Sequence, residues 1–134
     1  MNTAKTKRTA NPSKARRPLR SLRVSPSFRD FVLDQLADVP DLRAKAMFGG
    51  VGLYSGEHFF GIVANDVLYL KADDSTRAEF EQAGGRPFTP YPDRSGTMSY
   101  YSVPIGVLES APDVLEWVKR AIAVARNTER RRPR

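Results

Sequence analysis

Between Lys45 and Lys71 the chain runs in short stretches of β-branched and aromatic residues, broken at Gly49-Gly50, Ser55-Gly56 and Asn65-Asp66. Breaks at that spacing leave room for strands and none for helices, so the interval predicts an antiparallel meander. The last break is the most constraining. A two-residue turn at Asn65-Asp66 pairs Ala64 with Val67 and Ile62 with Tyr69, which fixes one hairpin and its register.

The flanks change period. Ser25 is a hydroxyl cap before Pro26 at the first helical position, and Phe28, Phe31, Val32, Leu36 and Val39 then fall on one face of a helix that ends before Pro40. After the meander, Asp73, Asp74 and Ser75 supply N-cap chemistry for a short helix through Ala78, Phe80 and Ala83, closed by Gly84-Gly85. Pro87 to Pro92 is interrupted by proline, which makes Phe88 and Tyr91 part of an edge strand or an extended loop. Met98 to Val103 reads as a strand preceded by the turn residues Asp93, Ser95 and Gly96. Ser110 to Asp113 approximates a capping box, and Val114, Trp117, Val118, Ala121, Ile122 and Ala125 then recur at helical spacing.

The expected architecture is α+β: a two-layer sandwich with an antiparallel sheet of about five strands, helices at both ends and one inserted, in the order α-β-β-β-α-β-β-α. A chain of 134 residues is one ordinary domain. The expected division is a disordered basic tail over residues 1–25, a folded domain over 26–128 and a second basic tail over 129–134.

Charge supports that division. Residues 1–25 hold eight cations (Lys5, Lys7, Arg8, Lys14, Arg16, Arg17, Arg20 and Arg23) and no carboxylate; residues 129–134 add Arg130, Arg131, Arg132 and Arg134 against Glu129. The formal +7 therefore splits into +8 for the first segment, −4 for the body and +3 for the last. Such tails attract phosphate without sequence preference. Within the body, Arg43, Lys45, Arg77, Arg86, Lys119 and Arg120 are scattered among carboxylates and form no helical stripe.

Several chemistries are disfavoured. The absence of cysteine removes disulfides, thiolate nucleophiles and most structural zinc sites, and fits a cytoplasmic protein. The first 25 residues have no apolar secretory core, and no stretch approaches the roughly 20 apolar residues of a spanning helix, so no membrane is expected. An organelle transit peptide is a weaker reading, since Pro12 and Pro18 interrupt the segment. His58 is the only histidine, and Glu57 beside it would point to the other side of a strand. Gly49-Gly50-Val51-Gly52 leads into strand residues and not a helix, so a turn, bulge or close backbone approach outweighs a phosphate loop. Asp73-Asp74 could ligate Mg²⁺, but their place before a helix favours capping. Lys71 reads as a solvated strand terminus. Tyr100 and Tyr101 occupy opposite sheet faces, one in the core and the other exposed or at an interface. Catalytic residues, metal ligands and cofactors are expected to be absent.

Three segments together carry a resemblance: Met47-Phe48-Gly49-Gly50-Val51-Gly52-Leu53-Tyr54, then Leu68-Tyr69-Leu70-Lys71 with Asp73-Asp74, then Met98-Ser99-Tyr100-Tyr101-Ser102-Val103-Pro104. In order and spacing they resemble the N-terminal domain of the TfoX/Sxy competence regulators, over roughly Phe28 to Arg126. The resemblance implies a stand-alone version, without the helical C-terminal domain of the full-length bacterial regulators. It also implies a non-enzymatic role in transcription regulation through contact with a protein partner, such as a transcription factor, or with a second copy. Met47, Phe48, Gly49, Gly50, Gly52, Tyr54, Tyr69, Lys71, Tyr100, Tyr101 and Pro104 become the structural or interaction candidates. The alternative is a nucleic-acid-binding accessory protein whose tails make weak, non-specific contact with DNA or RNA.

Overall fold

In the computed structural model, residues 22–89 and 99–131 are described, the last three as backbone, and five antiparallel strands lie side by side in chain order. They are β1 (Leu42–Met47), β2 (Gly50–Ser55), β3 (His58–Ala64), β4 (Val67–Lys71) and β5 (Tyr100–Ser102). Around them are α1 (Pro26–Gln35), α2 (Arg77–Gln82), α3 (Ile105–Leu108) and α4 (Ala111–Arg131). The α+β sandwich is thus as expected, but its order is α-β-β-β-β-α-β-α-α. Four strands precede α2 because β1 already begins at Leu42. Among the described residues one follows it, and Pro87 makes only an isolated bridge to Tyr101.

The Asn65-Asp66 turn has the expected register, with Ala64 opposite Val67 and Ile62 opposite Tyr69. Both turn residues have positive φ, +51° and +59°, the conformation whose twist suits a two-residue hairpin. Between β2 and β3 the register shifts at Leu53/Tyr54: Leu53 faces Gly61 and Tyr54 faces Phe59, leaving Phe60 as the extra residue. The resulting bulge turns Phe60 inward, where it is fully buried.

Strand alternation divides the sheet. Val51, Leu53, Phe60, Val63, Leu68, Leu70 and Tyr101 face the helices and pack with Val32, Leu36, Phe80, Leu108, Val114, Val118, Ala121 and Ile122. Each large aliphatic group in that core contributes about 1.5–3 kcal/mol. α1 starts as the sequence indicates, with Ser25 Oγ accepting from the Phe28 amide at 3.3 Å and Pro26 in the first turn. α4 is capped by Ser110, whose Oγ accepts from the Asp113 amide at 3.4 Å. Among the described residues no helix is long and apolar enough to cross a membrane.

Three expectations need correction. The folded part already includes Leu22, ahead of Pro26, because Leu22 is 2% exposed against the sheet face away from the helices. α4 continues to Arg131, so Arg130 and Arg131 lie in its last turn and not in a separate tail. Tyr100 and Tyr101 do take opposite faces, yet both are buried, since the face away from the helices has its own cluster of Leu22, Ile62, Ala64, Phe88 and Tyr100. Lys5 to Arg20, Tyr91, Met98 and Arg132 lie outside the described residues.

Candidate functional site

The first candidate region is the β1–β2 turn. Met47 pairs with Gly50, leaving Phe48 and Gly49 as a two-residue connection with φ of +49° and +88°. Gly49 takes that conformation freely, whereas a bulky aromatic there is a backbone outlier. Phe48 is nevertheless 67% exposed, so its ring gains little from burial. The incoming chain holds the turn: the Leu22 amide donates to the Phe48 carbonyl at 3.0 Å and the Val24 amide to the Gly49 carbonyl at 3.1 Å. Gly50 lies beneath this crossing. A Cβ on it would sit 2.6 Å from the Val63 carbonyl oxygen and 2.9 Å from the Leu22 Cβ.

The second is the sheet face away from the helices. Tyr54 and Phe59 have ring centroids 5.0 Å apart, Phe59 and Tyr100 5.8 Å, and Tyr69 and Phe88 4.9 Å. The Lys45 ammonium stands 5.2 Å from the Tyr54 centroid and that of Lys71 5.4 Å from the Tyr100 centroid, so Lys71 is more than a solvated strand end. A Cβ on Gly52 would meet Met47 Sδ and Phe59 Cε1, each at 3.0 Å; the glycine lets those side chains lie across the sheet. Burial pushes the Tyr100 hydroxyl up to about 12, with the neighbouring Tyr54 adding to the effect.

Tyr101, on the helix side, stacks on Phe80 and donates its hydroxyl to Glu81 at 3.3 Å. Its pKa is raised by burial first and by Glu81 second. Pro104 precedes α3, and its carbonyl accepts from the Val107 and Leu108 amides.

The acidic candidates serve the backbone. Asp73 Oδ1 accepts from the Ser75 hydroxyl at 2.7 Å, the Ser75 amide at 2.9 Å and the Thr76 amide at 3.2 Å. The Ser75 hydroxyl is the main reason its pKa is lowered, against an opposing contribution from burial. These bonds shape the turn before α2, whose own N-cap, Thr76, makes no side-chain cap bond. Asp74 pairs with Arg77 at 2.9 Å. Beside them lies an open cleft of about 420 Å³ lined by Lys71, Ala72, Asp73, Asp74, Ser99, Tyr100 and Thr128. Glu57 occupies the β2–β3 turn and not a strand, so its relation to His58 is not the alternation expected. Among the described residues no group of three or more His, Cys, Asp or Glu could hold a metal ion.

The sequence reading missed Leu22, Phe59 and Lys45 as parts of these surfaces. Parity counted outward from the Asn65-Asp66 hairpin would have placed Lys45 with Tyr54; nothing local marks Leu22.

A family model described as the TfoX N-terminal domain matches residues 34–125, a span that includes both regions apart from Leu22 to Val24. None of the curated proteins compared with the chain matches it.

Proposed function

This chain belongs to the TfoX N-terminal domain family, and from that premise we propose that it is a non-enzymatic regulatory domain acting through a protein partner at the β1–β2 turn. The observation that carries this reading is Phe48, a large apolar side chain held out in solvent on a left-handed backbone. Local strain of that kind costs about 1–3 kcal/mol and persists where function retains it. An exposed aromatic anchor on a rigid turn is also the kind of group that dominates protein interfaces. Ile105, at the start of α3, is 58% exposed and is the other large apolar side chain left in solvent among the described residues.

The groups with catalytic potential support a role without chemistry. Asp73 is occupied by three hydrogen bonds of its own turn, Asp74 by Arg77, and the Tyr101 hydroxyl by Glu81. A cytoplasmic regulator of transcription, with a transcription factor or a second copy as partner, is the role the family membership suggests.

The test is the Phe48→Asn variant, since asparagine tolerates positive φ. Transcript profiles of cells lacking the gene are compared after complementation with the wild-type chain or the variant, alongside proteins co-purifying with each. A partner and a transcript change that both disappear with Phe48→Asn, at unchanged thermal stability, support the proposal. Identical profiles and identical co-purifying proteins reject it.

A further inference from the structure

The strands carry cations and no carboxylate, a bias the linear sequence conceals. Among the described residues no carboxylate lies in a strand: Asp30, Asp34, Glu79, Glu81, Asp113, Glu116 and Glu129 are on helices, and the others are in connections. Every lysine and arginine of the strands, Arg43, Lys45 and Lys71, has the parity of the face away from the helices. Arg86 joins them from the edge. The Phe88 amide donates to the Tyr100 carbonyl and the Ser102 amide to the Arg86 carbonyl, so Arg86 shares the alternation of Phe88, which packs on that face. Arg43 has Asp41 at 3.4 Å on the surface, a contact that water and salt screen.

We infer that the sheet face away from the helices is a binding surface for single-stranded nucleic acid. One row of the sheet runs Lys45, Gly52, Ile62, Tyr69, Ser102, with Arg86 beyond it. At ~4.8 Å per strand, cations bracket a platform about 24 Å wide. Between them Tyr54, Phe59 and Tyr69 are half-buried. The Lys45 ammonium lies over the Tyr54 ring, 5.2 Å from its centroid, which brings a cation and an aromatic ring together on this face. Bases stack on such rings while flanking cations hold the phosphates.

Leu22 packs on this face, and the sequence before it includes Lys14, Arg16, Arg17 and Arg20 without a single carboxylate. A duplex fits less well: its bases are already stacked, and the described residues place no helix on this face to enter a major groove.

The test uses the full chain and a fluorescein-labelled oligonucleotide of about 15 residues, by anisotropy at about 50 and 200 mM salt. Two charge-reversed variants are compared: Lys45→Glu with Arg86→Glu on the sheet face, and Lys119→Glu with Arg126→Glu on the helix layer. The first should weaken binding about tenfold or more and the second less than about twofold, although both change net charge equally. Tyr54→Leu should weaken it about fivefold or more through lost stacking. Circular dichroism checks each fold, and Lys45→Gln with Arg86→Gln makes the same comparison if the reversed pair does not fold. Equal loss from both charge variants overturns the inference, as does absence of binding at low salt. So does equal or tighter binding of the duplex, or displacement by polyglutamate as effective as by unlabelled oligonucleotide. Phe48→Asn should leave this affinity unchanged, so this surface and the turn proposed above can fail separately.

Discussion

The Leu22 amide and the Phe48 carbonyl are hydrogen-bonded at 3.0 Å, across a sequence gap that no local pattern bridges. The Leu22 carbonyl in turn accepts from the Asn65 amide at 3.3 Å, and the Ser25 amide donates to Asp66 Oδ1 at 2.8 Å. A short extended segment before α1 thus ties together the β1–β2 and β3–β4 turns at one end of the sheet. Its side chain closes the cluster of Ile62, Ala64, Phe88 and Tyr100.

Leu22→Ala should therefore destabilise the chain by about 2–4 kcal/mol, the range for truncating a fully buried leucine. Urea unfolding measures this. Removing residues 1–20 should leave the midpoint nearly unchanged, because few apolar groups are lost, whereas removing 1–24 should reproduce the Leu22→Ala loss. Equal midpoints for the two truncations would show that the Leu22 contacts contribute nothing.

At Gly50 the constraint is a backbone oxygen 2.6 Å from the place of a Cβ, and a backbone oxygen in a paired strand cannot swing aside. Gly50→Ala should cost about 1–3 kcal/mol and Gly50→Val more. Thermal denaturation of both, with full recovery on cooling, is the measurement; a Gly50→Ala variant as stable as wild type would contradict the close approach.

Phe48 should behave in the opposite sense. Replacing it with asparagine relieves a bulky residue of positive φ and forfeits little buried area, so Phe48→Asn should be neutral or more stable by up to about 1 kcal/mol. Loss of stability beyond that would mean the ring packs somewhere and would weaken its assignment as an exposed anchor.

Tyr100 provides a test at high pH. Its folded pKa of about 12 lies above the value near 10 of an exposed tyrosine, so the folded state holds this proton more tightly. Stability from that difference is fully present below pH 10 and is lost as pH rises through 12, to a total of about 3 kcal/mol. Tyr100→Phe keeps the ring and removes the ionisation, so its stability should fall less steeply than wild type between pH 10 and 12. Parallel pH profiles for the two proteins would show that this hydroxyl is not held from water.

Local chemistry in the sequence was enough for the elements. Asn65-Asp66 determined a hairpin and its register because two consecutive left-handed residues permit one pairing. Ser25-Pro26 and Ser110 determined where α1 and α4 start, because a hydroxyl satisfies an otherwise unpaired first-turn amide. The periods of Val32, Leu36, Val114 and Val118 determined which helix faces meet the sheet. What lay beyond the sequence depended on contacts between distant segments. Leu22 sits in a basic stretch whose composition argues against structure, and only the space above Gly50 gives it a place. Lys45 and Arg86 are scattered among carboxylates along the chain, and only the sheet's order and pleat bring them to one face, in strands and an edge that carry no acid. Tyr100 and Tyr101 read as one core ring and one exposed or interfacial ring, and only Leu22 and Phe88 against the far side of the sheet bury both. Periodicity reports which side of its own element a residue faces; what lies against that side is decided by segments far away in the chain.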